Sequence, residues 1–108
     1  MAEARDYKVL RGVVALYNLL KKHGQLELEF VKKSNKETRL MNCTLDFKKI
    51  LKSDHPKGKF NEQEMLIRAK KLRLLTVYDL GVMGWRSVLL DTINYVKTPE
   101  GEIYRLQK

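Results

Sequence analysis

The spacing of apolar positions changes abruptly at Gly24. Before it, Leu10, Val13, Leu16 or Tyr17, and Leu20 recur every three or four residues, which predicts a helix over 6–22 with one apolar face and Asp6 as its cap. "KKHG" closes that helix, because cations complement the negative end of the dipole and Gly24 tolerates the left-handed conformation. After it, "QLELEF" alternates strictly, with Leu26, Leu28 and Phe30 on one side and Glu27 and Glu29 on the other. That period of two predicts a half-buried strand over about 25–32. "KKSNKE" supplies turn residues, and "TRLMNCTL" resumes as a second strand over about 38–45, making a hairpin.

Beyond Asp46 the alternation is lost. "DFKKILKSDHPKGKF" reads as a helical turn followed by a mobile, basic loop with Pro56 and Gly58 as breakers. "NEQEMLIRAKKLR" reads as a short helix: Asn61 and Glu64 have capping-box spacing, and Met65, Ala69 and Leu72 line one side. Together they form a helical insertion over about 47–71. Two apolar runs then flank "GVMG", predicting strands over about 74–80 and 85–91 with Asp79 opposite Arg86, Val77 opposite Val88 and Leu75 opposite Leu90. A cross-strand ion pair adds only about 0.2–1 kcal/mol, so Asp79 and Arg86 serve chiefly to set the register. Trp85 becomes a lid over the barrel end, and Asp91 turns the chain into a last stretch over about 94–106. That stretch bends at "TPEG", with Tyr95 and Tyr104 on its arms.

Five short strands cannot hide their edges in an open sheet, so closure is expected. The fold class predicted is α+β: an N-terminal helix and a small five-stranded antiparallel SH3/Sm-like barrel, with the basic helical insertion between its second and third strands. The length of 108 residues predicts one domain over 1–108. Cys43 is the one cysteine, so no internal bridge can form, and a reducing compartment fits. No apolar run approaches the roughly 20 residues of a membrane helix, and "MAEARDYK" lacks a signal peptide's apolar segment, so an intracellular protein without membrane contact is expected.

The formal charge of +9 is unevenly placed. Residues 48–73 carry nine Lys/Arg against three Asp/Glu, whereas residues 74–108 carry four against four. A concentrated positive field attracts phosphate backbones or acidic protein surfaces, although lysine-rich surfaces also serve solubility.

"TRLMNCTLD", followed by "LLTVYDLGVMGWRSVLLDTI", resembles the WYL-related, Sm-like SH3 β-barrel proteins of tailed, T4-like bacteriophages. The matching positions are Arg39, Met41, Cys43, Thr44, Leu45, Val77, Tyr78, Asp79, Leu80, Gly84, Trp85, Arg86, Ser87, Asp91 and Ile93. The resemblance implies a small barrel acting in the cytoplasm of an infected host. It carries no activity with it.

Catalysis is not expected. His23 lies at a helix end and His55 beside a proline, both as solvated residues. No metal-ligand spacing, phosphate-cradling glycine loop or adjacent nucleophile and base is present, and no cofactor is implied. Nucleic-acid binding, to DNA or RNA, is the first expectation. Lys48, Lys49, Lys52, Lys57, Lys59, Arg68, Lys70, Lys71 and Arg73 crowd one segment that can follow a phosphate backbone by charge. Trp85 and Arg86, an aromatic and a guanidinium beside a turn, are a candidate ligand contact. The alternative is a host-takeover or counter-defence protein whose basic surface steers it to a host protein such as RNA polymerase or a nuclease.

Overall fold

Apolar residues from both ends of the chain meet on one face of one sheet. The computed structural model describes residues 8–56 and 61–107. Strands β1 (Lys8–Arg11), β2 (Leu26–Val31), β3 (Thr38–Thr44), β4 (Leu74–Asp79), β5 (Gly84–Leu89), β6 (Ile93–Lys97) and β7 (Ile103–Gln107) are interrupted by helix α1 (Gly12–His23) after β1 and helix α2 (Glu62–Leu72) after β3. Short 3-10 turns occupy Phe47–Lys49, Lys52–Asp54 and Leu90–Thr92. The strand order is β1-β7-β6-β2-β3-β4-β5, with β1 parallel to β7 and the other neighbours antiparallel.

The expected five-stranded antiparallel barrel is therefore corrected to an open, seven-stranded mixed sheet with two helices. Three local causes account for the difference. Lys8–Arg11 is a strand and not the first turn of the helix, because Leu10 is buried where β1 pairs with Leu106 of β7. Gly12, at φ 87°, then reverses the chain into α1, whose cap position is Arg11. The expected cap, Asp6, lies outside the described residues. The last stretch forms two strands, because Gly101 at φ 95° closes a tight turn with its N–H on the Thr98 carbonyl (2.9 Å). Finally, β3 and β4 share only the pairs Cys43–Asp79 and Thr44–Tyr78, and the terminal strands β1 and β5 do not pair with each other, so the sheet stays open.

The helices do what an opposite barrel wall would have done. Val13, Leu16, Tyr17, Leu19 and Leu20 of α1 and Ala69 of α2 are buried in one cluster with Leu26, Leu28, Met41, Cys43, Val77 and Val96 of the sheet. Each large side chain so buried contributes about 1.5–3 kcal/mol. The helix ends follow the sequence closely. Gly24 takes the left-handed conformation and donates to Leu20 (2.8 Å), and Asn61 Oδ1 accepts the Glu64 N–H (3.0 Å).

In the β4–β5 hairpin the register differs from expectation by two residues. Asp79 faces Gly84, Tyr78 faces Trp85, Val77 faces Arg86 and Leu75 faces Val88. A shift of two preserves the faces, so Leu75, Val77 and Val88 remain buried. The cause is Asp79, whose Oδ1 accepts the N–H groups of Gly81 (2.8 Å) and Val82 (3.3 Å) and so fixes a four-residue turn. Its Oδ2 still meets Arg86 Nε at 3.0 Å, now diagonally.

Candidate nucleic-acid interface

The insertion begins at Asp46, whose Oδ1 accepts the Lys48 N–H (3.0 Å) and starts the first 3-10 turn. Ile50 is buried beneath it. His55 folds back over that turn, its ring 5.1 Å from the Phe47 ring and its Nε2 3.0 Å from the carbonyls of both Phe47 and Ile50. Carbonyls only accept, so Nε2 carries the proton that it shares between them. Asp54 fastens the second turn to the sheet: its carboxylate accepts from Tyr78 (2.6 Å) and its carbonyl from the Trp85 indole (2.7 Å). The segment expected to be a mobile loop is thus folded and anchored as far as Pro56.

This anchoring places the cations outward. Lys48, Lys49, Lys52, Arg68, Lys70, Lys71 and Arg73 are all exposed. Lys57 and Lys59 lie outside the described residues. Arg73 takes the left-handed cap of α2 (φ 53°), and its guanidinium sits 2.8 Å from Asp91, which raises its pKa through the hydrogen bond and the carboxylate charge. Lys49 reaches Gln25 (3.3 Å). Lys48, Lys52, Arg68, Lys70 and Lys71 form no ion pair with any described residue. The structure therefore leaves these cations exposed along the inserted segment and pairs Arg73 with Asp91. On α2, Arg68 and Lys70 flank the buried Ala69 on either side, so the positive surface wraps the helix.

Trp85 and Arg86 both have internal partners. The indole, besides its bond to Asp54, packs edge-on to Tyr78 with centroids 5.3 Å apart, and Arg86 is held by Asp79. The expected lid is instead a fastener for the insertion. Both histidines are corrected as well: His23 Nδ1 lies 3.0 Å from Glu100, with its side chain largely buried, and His55 is held as described. Asp91, expected to turn the chain, does sit in the 3-10 turn before β6, and it also answers Arg73. Cys43 is buried, and burial first, then the Asp79 charge, pushes its thiol up to about 12, which keeps it protonated and inert at neutral pH.

One cationic group escaped the sequence reading. The β2–β3 turn and the start of β3 carry Lys32, Lys33, Lys36 and Arg39 against Glu37 alone, a net +3. Residues 1–47 as a whole carry nine Lys/Arg against six Asp/Glu, also +3, so their entire excess sits in this stretch. A charge tally over eight residues would have found it.

No helix among the described residues is long and apolar enough to cross a membrane, and no described cluster of His, Cys, Asp and Glu could hold a metal ion. In comparisons with known proteins, no family model, no curated protein and no solved structure matches this chain.

Proposed function

We propose that this is a small basic nucleic-acid-binding protein that acts through the insertion without catalysis, in the cytoplasm of a phage-infected host. The observation that carries the reading is that Lys48, Lys52, Arg68, Lys70 and Lys71 stand exposed on a folded, anchored segment with no described carboxylate neutralising them. Cations held this way meet phosphates with little loss of conformational freedom beyond their own side chains. Two of the three acids on the segment are engaged: Asp54 accepts from Tyr78, and Glu62 accepts from the Tyr17 hydroxyl. This favours binding over a nuclease role.

The test is fluorescence anisotropy of a labelled 20-base-pair DNA duplex during a salt titration. Wild-type protein is expected to bind at 50 mM NaCl and to weaken steeply toward 200 mM. Lys70→Glu with Lys71→Glu is expected to lower affinity at least about tenfold, since each phosphate contact adds about 0.9 to the salt slope. Arg73 stays unchanged, because reversing it would also break the Asp91 pair. Absence of binding at low salt, or an unchanged double variant, overturns the proposal.

A second reading is a modulator of a host protein. It is favoured by β5, an edge strand whose outer side pairs with no described strand and is open to strand addition. A pull-down from host lysate with nuclease treatment separates the two, since only a protein partner survives the nuclease.

A further inference from the structure

A polar cleft of about 430 Å³ opens where the end of α1, the sheet and the insertion meet. Its floor includes one row of neighbours on three strands. The register sets Asn42 of β3 opposite Glu27 of β2, and Glu27 opposite Lys97 of β6. Adjacent strands lie about 4.8 Å apart, so the row spans roughly 10 Å. His23 at the end of α1, Lys49 of the insertion and Thr98 of the β6–β7 turn also line the cleft. Backbone bonds hold these borders in place. Gly24 donates to the Leu20 carbonyl (2.8 Å), and its own carbonyl accepts the Thr44 hydroxyl. Thr98 donates to the Glu102 carbonyl (2.9 Å) and accepts from Gly101 (2.9 Å).

Glu27, Lys49 and Lys97 form no ion pair with a described residue. His23 adds an unsatisfied atom to these charges. Its Nδ1 lies 3.0 Å from Glu100, and a carboxylate only accepts, so the neutral ring carries its proton there. Nε2 is then a bare acceptor, buried and without a hydrogen-bond partner among the described residues. Buried polar atoms are nearly always bonded, so one left over in a ring that lines a cleft calls for a donor from outside the chain. A matching ligand carries an anion for the two lysines, an amino group for Glu27 and a hydroxyl for His23. A nucleoside monophosphate has all three, in its phosphate, its base and its ribose. Carboxylates accept from the amino group of cytosine, and Asn pairs with adenine, so the acid–amide row suits a base that bears an amino group. The volume agrees, since small-ligand sites run from about 300 to 1,000 Å³. Bare phosphate fits less well, because Glu27 stands beside Lys97.

We infer that this cleft binds a nucleoside monophosphate whose base bears an amino group, with Lys49 and Lys97 on the phosphate, Glu27 on the amino group and His23 Nε2 on a ribose hydroxyl. The site takes one nucleotide and does not depend on whether the insertion binds duplexes. The experiment follows proton–nitrogen NMR spectra, including the His23 imidazole signals, during titration with cytidine or uridine monophosphate. About 150 mM NaCl screens contacts by charge alone. Cytidine monophosphate is expected to bind with a Kd of about 1 mM or tighter and to shift the His23 Nε2 signal. Uridine monophosphate, whose base lacks the amino group, is expected to bind at least about fivefold more weakly. Lys97→Ala is expected to weaken cytidine monophosphate binding at least about tenfold, and Glu27→Gln to erase the difference between the two nucleotides. Lys70→Glu with Lys71→Glu is expected to bind both as wild type does. Absence of binding at about 10 mM, an unmoved His23 signal, or equal affinity of wild type for both nucleotides overturns the inference. So does binding that survives Lys97→Ala but is lost in the Lys70/Lys71 variant, which would place the nucleotide on the insertion. Failure of duplex binding with the cleft still occupied overturns the insertion's role alone.

Discussion

Tyr78 is the residue at which sheet, insertion and titration chemistry meet. Its ring is fully buried, its hydroxyl donates to Asp54 at 2.6 Å, and its ring edge meets Trp85. Burial first, then the Asp54 bond, pushes the phenol from 10.0 up to about 12. Burial likewise pushes the Cys43 thiol from 9.0 up to about 12. The sign follows from which form the fold prefers. Both groups are held neutral, so their contribution is complete below the unfolded values and is lost as pH rises through 9–12. Urea-unfolding midpoints should be flat from neutrality to about pH 9 and then fall. Tyr78→Phe, which cannot ionise, should lower the midpoint at neutral pH yet make the alkaline fall shallower. An unchanged slope in this variant would show that the phenol is not held neutral by the fold.

At the scale of elements, the β4–β5 turn shows how far local sequence can be trusted. Its glycines invite the assumption that they provide the positive φ, but that angle falls on Met83 (57°). Gly81 serves another purpose: a Cβ there would lie 3.2 Å from Asp79 Oδ1, an atom held in place by two N–H groups. Met83→Gly should therefore stabilise the protein by about 0.5 kcal/mol, since relief of left-handed strain exceeds the added chain entropy. Gly81→Ala should destabilise it by about 1 kcal/mol. Urea midpoints moving in opposite directions confirm the assignment. The same contrast governs what was legible elsewhere. α2 could be read because Asn61 and its cap bond lie three residues apart, and β2 because its alternation is self-contained. β1 could not, since "KVLR" becomes a strand only by lying beside β7, nearly the whole chain away. Barrel closure rests on strand number, element order and the resemblance to small barrels, whereas α1 and α2 cover the apolar face that closure would hide. In the candidate interface, the cations were legible as charge, but the roles of Trp85 and Asp54 were not, because their contact spans 31 residues.

For the whole molecule, the excess of +9 resolves into +3 over residues 32–39 and +6 over residues 48–73, with the remainder balanced. Such a distribution makes a prediction about the free protein that differs in sign from one about its complexes. Were the basic residues held in ion pairs, salt would screen attractions and lower stability. Here most have no described partner, and Arg68 and Lys71 stand one helical turn apart with like charge, so the screened interaction is repulsive. Raising NaCl from about 20 to 200 mM should increase the thermal midpoint of the unbound protein. Over the same interval its affinity for a DNA duplex should fall, because counterions compete for the phosphates those cations would occupy. At low salt, duplex at about 100 times its Kd should raise the stability of the folded state by about 2.7 kcal/mol. At 200 mM that increment should shrink or vanish, while the unbound protein is at its most stable. A thermal midpoint that instead drops with salt would mean that the cationic surface is internally compensated, and with it would go the electrostatic reason for expecting a polyanionic partner.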